Sequence, residues 1–184
     1  MQPAGRSDAE AVLAAPAMAA RELEGGLDLG VSSVWIAKDP GYEARVRESF
    51  ARQTYMATLG ATIAFIAPGE VHLALPFTPQ FCQQNGHLHA GAVASVADSA
   101  NGYAAYTLSP PETDVLTVEF KINLLAPARG QEFLACGQVL RAGRTLTVCQ
   151  AQVFATGPGE RLLIATMLST IIVRPMEKGG VGAA

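Results

Sequence analysis

Between Leu116 and Leu124 the chain alternates cleanly, with Leu116, Val118, Phe120, Ile122 and Leu124 on one side and Thr117, Glu119, Lys121 and Asn123 on the other. A period of two marks a strand with one buried face. Two more runs, "QEFLACGQVLR" and "RTLTVCQAQVFAT", flank Ala142-Gly143, and "RLLIATMLSTIIV" follows Gly157-Pro158-Gly159, so the C-terminal half reads as an antiparallel meander. Upstream, "ATIAFIAPGEVHLALPF" reads as two short strands around a Pro68-Gly69 turn, because a type II turn favours proline followed by glycine at its centre. Helical spacing governs "GYEARVRESFARQTYMATLG" through Tyr42, Val46, Phe50 and either Ser49 or Gln53, with Gly60 as the stop. The predicted order is helix, two strands, helix, four strands. No helical crossover of a dozen residues separates the last four strands, which excludes a doubly wound parallel sheet and predicts an α+β fold with antiparallel pairing. The second helix must then be covered by that sheet.

This second helix, within "QQNGHLHAGAVASVADSANGYAAYTL", is built almost entirely of small residues yet carries one carboxylate, Asp98. At about 100° per residue, Val93, Val96, Ala97, Ala100, Tyr103 and Ala104 share one face and predict its core side. Gly91, Ala94, Ser95, Asp98, Gly102 and Ala105 share the other. An exposed helix face usually carries Lys and Glu. This one is lined with residues too small to fill space, which admits a partner backbone or a ligand close to Asp98. The alternative is a solvated or hydrogen-bonded structural aspartate. In the preceding loop, "GHLHAG" leaves helix-start amides uncovered, and amides at a helix N-terminus stabilise a developing negative charge as an oxyanion hole does. His89 reads either as a helix cap or as part of that chemistry.

The formal net charge of −3 over 184 residues, with basic residues scattered, argues against a nucleic-acid partner and against an anionic membrane surface. With 49% apolar residues the chain builds one ordinary core. Cys82, Cys136 and Cys149 show neither CxxC nor Cys/His spacing, so free thiols in a cytoplasmic protein are expected, with no disulfide framework and no metal. Ala11–Ala20 is apolar but follows Asp8 and Glu10, contains Pro16 and is too short to span a bilayer, so neither export nor a membrane anchor is expected. Residues 1–40 read as an Ala/Gly-rich extension with a short helix from Asp8 to Glu24, residues 41–175 as the domain, and residues 176–184 as a flexible tail. No GxSxG occurs and no cysteine neighbours a histidine, which removes support for serine and cysteine hydrolases.

Taken together, His89-Ala90-Gly91, Asp98 nine positions after the histidine, and "TVEFKINLLAPARG" from Thr117 to Gly130 resemble the hotdog-fold acyl-CoA thioesterases of the phenylacetate-degradation (PaaI-like) type. The likeness covers about residues 42 to 174, including strand order. It implies a hotdog fold, an antiparallel sheet wrapped around a central helix. It also implies an acyl-CoA substrate, with coenzyme A entering only as part of that substrate and no cofactor. Subunits of this family form homodimers with a continuous sheet, often pairing again as dimers of dimers. By the same resemblance the Ala90 amide polarises the thioester carbonyl and Asp98 acts as general base or nucleophile. Gln83 stands where an amide side chain approaches the carbonyl, His89 orients the loop or assists at the carbonyl, and Thr117 helps hold the attacking water. Asn85 competes with Gln83 as the site amide if the loop is realigned. Gly91 and Ser95 border the substrate. Ala90 departs from the family's usual first glycine.

Nine residues of helix amount to about 900° of rotation and roughly 13 Å of rise, which sets His89 and Asp98 apart on opposite faces. A site shared across a two-fold axis is therefore predicted, with Ala90 and Gln83 from one subunit and Asp98 from the other. Arg129, and in the hairpin Arg141 or Arg144, are candidates for the CoA phosphates. Tyr103, Phe81 and Leu88 are candidates for the acyl pocket. Acyl-CoA hydratases share the architecture but need an acid and a histidine about five residues apart, which "HAGAVASVAD" does not offer. A non-catalytic acyl-CoA sensor would use the small-residue face equally well.

Overall fold

The computed structural model describes residues 35–157 and 160–176. The helix expected over residues 8–24, the middle of the glycine-proline turn and the tail after Met176 lie outside the described residues. Chain order is α1 (Tyr42–Ala51), α2 (Thr54–Leu59), β1 (Thr62–Ala67), β2 (Glu70–Pro76), a 3-10 turn (Pro79–Phe81), α3 (Ala90–Thr107), β3 (Thr113–Leu124), β4 (Glu132–Ala142), β5 (Leu146–Gly157) and β6 (Glu160–Pro175). The first helix, expected as one piece, is two. Gln53 leaves the helical region, with ψ of 94°, and its Nε2 donates to the Tyr103 hydroxyl of α3 at 3.0 Å. Gly60 ends α2 in the left-handed conformation, φ 72°, which glycine adopts without steric cost.

The six strands among the described residues form one antiparallel sheet in the order β1-β2-β4-β5-β6-β3, with β1 and β3 at its edges. The sheet wraps α3, eleven of whose eighteen residues are buried. This is the hotdog architecture. Burial follows the predicted stripe, since Val93, Val96, Ala97, Ala100, Tyr103 and Ala104 are all in the core. Ala105, assigned by spacing to the open face, is buried as well, in a second cluster with Leu108, Val139 and Ile171 against which Trp35 packs.

Contact between helix and sheet is closest at β4. A Cβ on Gly137 would stand 2.4 Å from the carbonyl carbon of Ala100, so strand and helix meet backbone to backbone. At the far end of α3, the Gly69 amide of the β1–β2 turn donates to Thr107 Oγ1 at 2.7 Å, and a Cβ there would strike the Trp35 ring. Gly69 has φ of 79°, as the second central residue of a type II turn requires.

Strand β3 departs from its sequence reading. Its pairing with β6 slips between Thr117 and Glu119, leaving Val118 without a partner as a β-bulge. Antiparallel partners share a face of the sheet. Thr117 pairs with buried Ile171, whereas Phe120, Ile122 and Leu124 pair with Ser169, Met167 and Ala165, all buried under α3. The inward set is therefore Val115 and Thr117 before the bulge and Phe120, Ile122 and Leu124 after it, and Leu116 points outward. Leu116, Val118 and Phe120 are all apolar, so no change in polarity marks the shift.

Replacing Gly137 by alanine is expected to lower unfolding free energy by about 2 kcal/mol or more, because the new methyl meets fixed backbone rather than a mobile side chain. Urea unfolding of the two proteins at one pH measures this, and equal midpoints would contradict the close approach.

Candidate active site

Two constellations lie along α3. The first surrounds its N-terminus. Residues 82–88 form a small hairpin, in which Cys82 bridges Leu88, the Gln83 amide donates to His87 O at 2.8 Å, and Gly86 takes φ of 77°. The Gln83 Oε1 accepts the Asn85 amide, so that oxygen serves the turn and leaves the Nε2 end of the carboxamide to donate elsewhere. Asn85 is exposed at the tip. His89 is the N-cap, with extended backbone, and its Nδ1 accepts the Gly91 amide at 2.9 Å. A neutral His89 ring then carries its proton on Nε2. The amides of Ala92 and Val93 both donate to His89 O. The exposed Ala90 amide has no hydrogen-bond partner among the described residues. It is the open donor of this helix start, with the positive end of the helix dipole behind it.

Beside it is a cavity of about 250 Å³ whose wall includes Tyr55, Leu59, Phe81, Cys82, His89 and Ala92. Of the three residues expected to line an acyl pocket, Phe81 does. Leu88 is buried in the core, and Tyr103 is buried with its hydroxyl bonded to Ser49 and Gln53 of the α1–α2 segment. Tyr55 and Leu59 were missed because α2 is too short to display a stripe of its own. Arg129 is exposed, its guanidinium 3.2–3.4 Å from the His87 ring at the loop's edge. Arg141 and Arg144 are exposed beside the β4–β5 turn, at the end of the sheet where Val139 packs on Ala104 and Leu108, and hence by the opposite end of α3.

The second constellation is Asp98 with Thr117. The Thr117 hydroxyl donates to Asp98 Oδ1 at 2.7 Å, across from the helix to the edge strand. The bulge at Val118 follows directly, where the strand turns Phe120 to the same face. Asp98 is half-buried and forms no ion pair among the described residues. Burial raises its carboxyl above the ordinary aspartate range, and the Thr117 hydrogen bond only partly offsets that. A carboxylate that binds a proton more readily is a stronger base. Ser95, one turn before, donates its hydroxyl to Gly91 O at 2.7 Å and so serves the helix backbone. Gly102, one turn after, faces open space. No hydrogen bond or ion pair among the described residues joins Asp98 and Thr117 to the Ala90, His89 and Gln83 group.

Residues 85–161, which hold the helix start, Asp98 and Thr117, match the Thioesterase superfamily. A Thioesterase family protein from Silicibacter pomeroyi, known from its crystal structure, is 50% identical, with a TM-score of 0.73 over 73% of this chain and 99% of that one. The chain belongs to the thioesterase superfamily. Another relative, the medium/long-chain acyl-CoA thioesterase YigI of Escherichia coli K12, is 32% identical over 99 residues, which are 47% of this superfamily member and 62% of YigI. The chain thus spans less than two thirds of that relative. The Escherichia coli PaaI protein from the phenylacetic acid degradation operon, 17% identical with a TM-score of 0.65 over 71% of this chain and 91% of PaaI, shares the fold. Among the described residues of this thioesterase-superfamily chain, no helix is long and apolar enough to cross a membrane, and no group of three or more His, Cys, Asp or Glu side chains could hold a metal ion.

A raised carboxyl pKa has a consequence for stability. The folded state binds the Asp98 proton more tightly than the unfolded chain, so stability falls as pH rises from the ordinary aspartate range through the higher folded value and stays at the lower level beyond it. Asp98→Asn keeps an acceptor for Thr117 and cannot ionise. It is expected to raise the melting temperature at pH 7, with the gain shrinking toward zero as pH falls into the ordinary aspartate range. Melting curves from pH 3.5 to 8 check this, and a variant less stable at pH 7 would refute it.

Proposed function

We propose that the chain hydrolyses acyl-CoA thioesters, of aryl or short- to medium-chain acids, to the free acid and CoA, in the manner of the PaaI-like branch of its superfamily. The observation that carries the reading is the Ala90 amide at the start of α3, which has no hydrogen-bond partner among the described residues, on a helix that also presents the half-buried Asp98 carboxylate held by Thr117. The thioester carbonyl oxygen sits on the Ala90 amide, with the Gln83 or Asn85 carboxamide alongside, and negative charge grows there as the carbonyl carbon becomes tetrahedral. Asp98 takes the proton of a water that Thr117 helps to hold, and CoA thiolate leaves. Direct attack by Asp98 instead gives a mixed anhydride that water then opens. The acyl group occupies the cavity between α2 and the helix start, His89 fixes the loop through its cap on Gly91, and Arg129 at the loop edge meets the CoA phosphates.

Both halves belong to one site only in a homodimer, in which Ala90 and Gln83 of one subunit face Asp98 and Thr117 of the other. The edge strand supports this. Val118, Phe120 and Leu124 are 57%, 44% and 54% exposed on β3, whose outer edge has no neighbouring strand among the described residues, and an apolar sheet edge is a template for pairing with a second copy. Dimers then pair again into tetramers.

A test separates the two halves. Proline is favoured at the first position of a helix and lacks the N–H, and the extended backbone of His89 suits a following proline, so Ala90→Pro removes the donor while keeping α3. CoA-thiol release from a panel of aryl and aliphatic acyl-CoAs is expected to fall by roughly 10²–10³ in this variant and by at least about 10² in Asp98→Asn. Refolding the two variants together is expected to restore about a quarter of native activity, since half the dimers are mixed and each has one intact site. No recovery would refute the shared site. Acyl-CoA binding without release by the native chain would replace hydrolysis with a sensor function.

A further inference from the structure

The convex face of the sheet, opposite α3, holds a second cluster of reactive groups that the proposed hydrolysis does not use. His72 of β2 stands directly across from Cys136 of β4, and inward-facing Val71 and Leu73 on either side of His72 fix both side chains on the outer face. The imidazole is buried, 6% exposed, and its Nε2 lies 2.7 Å from Glu70 Oε1, which also accepts from Gln138 Nε2 at 3.2 Å. The Phe65 ring of β1 covers the imidazole at 5.0 Å between centroids. From β6, Arg161 lays its guanidinium over the Phe154 ring of β5, 3.7 Å from the centroid, and one NH2 group reaches Cys136 Sγ at 3.7 Å. Gln152 of β5, the remaining cross-strand partner of Cys136, is uncharged.

Charge decides what such a cluster does. Arg161 has no carboxylate partner among the described residues, and its Nε is buried without a hydrogen bond. Glu70 answers one positive charge. With His72 protonated the cluster holds two, and the Cys136 sulfur lies opposite the imidazole and 3.7 Å from the guanidinium, where negative charge developing on it is stabilised. Burial alone would lower the His72 pKa, but the Cys136 side chain opposite it and the Glu70 carboxylate outweigh burial and raise it to about 9. The other two thiols lack this setting: Cys149 is buried among apolar neighbours that push it up to about 12, and Cys82 contacts the Thr78 carbonyl.

We infer that Cys136 is a site of oxidation by hydroperoxides, with His72 as its proton carrier and Arg161 as the counter-charge to its sulfur. The thiol passes its proton to the imidazole. The sulfur then attacks one oxygen of hydrogen peroxide, the O–O bond breaks, and an S–OH bond forms. The departing hydroxide takes the proton back from the imidazolium and leaves as water. Sulfur gives up two electrons and the peroxide is reduced by two, so thiol and peroxide become sulfenic acid and water. A half-buried thiol admits so small an oxidant with no binding pocket.

Treatment of the purified full chain with hydrogen peroxide and dimedone, followed by peptide mass spectrometry, tests the inference. Cys136 is expected to take the dimedone adduct at least about tenfold faster than Cys82. Arg161→Met and His72→Gln should each slow it by about tenfold, and Arg161→Lys, which keeps the charge, should stay within about threefold of native. Melting curves establish that each variant is folded. Labelling of Cys136 no faster than Cys82 in the native chain overturns the inference, whatever the variants do, and so does unchanged labelling in folded Arg161→Met.

Discussion

Helix α3 and strand β4 touch backbone to backbone, and the rest of the molecule is arranged around that contact. No side chain fits between Gly137 and Ala100. Helix residues facing the sheet must therefore be small or flat, and Ala97, Ala100 and Ala104 are fully buried there. A helix pressed so deeply into a curved sheet is covered on most of its circumference, and what remains open is the stripe holding Gly91, Ser95, Asp98 and Gly102 toward the β3 edge. The same closeness that buries the alanines leaves Asp98 in a setting dry enough to raise its carboxyl yet open on one side.

Much of this was legible in the chain because the relevant signals are local. The Pro68-Gly69 turn, the glycine stop at Gly60, the apolar stripe of α3 and the order of elements each follow from residue types at fixed spacing. Two things were not legible. The split between α1 and α2 depends on Gln53 reaching Tyr103, a contact fifty residues distant that no local pattern announces. The bulge at Val118 is hidden because Leu116 is apolar though it faces outward, so the alternation looks unbroken. Arg141 and Arg144 illustrate a related blindness, since spacing gives residue types but not which end of α3 a hairpin will adjoin.

The bulge matters more than its single residue suggests. Without the slip, Thr117 and Phe120 would lie on opposite faces of the sheet, because an odd separation along a regular strand always does that. With it, a hydroxyl that holds the carboxylate and an apolar ring are presented side by side at an edge. Polar and apolar groups are thus placed together without giving up the inward packing of Ile122 or the outward run of Glu119, Lys121 and Asn123.

Helix geometry then limits what one copy of the chain can do. A donor at the first position of α3 and a carboxylate eight positions on are separated by roughly 12 Å of rise, and no bend in a continuous, buried helix closes that distance. Lengthening a loop would move the donor, but the donor is a backbone amide fixed by the helix it begins, and the carboxylate is fixed by Thr117. Each element is rigid for the same reason that it is useful. In the hydrolysis proposed above, bringing the two to one carbonyl would fall to a second copy related by a two-fold axis, and the apolar outer edge of β3 next to Asp98 is where such a copy would gain most by docking.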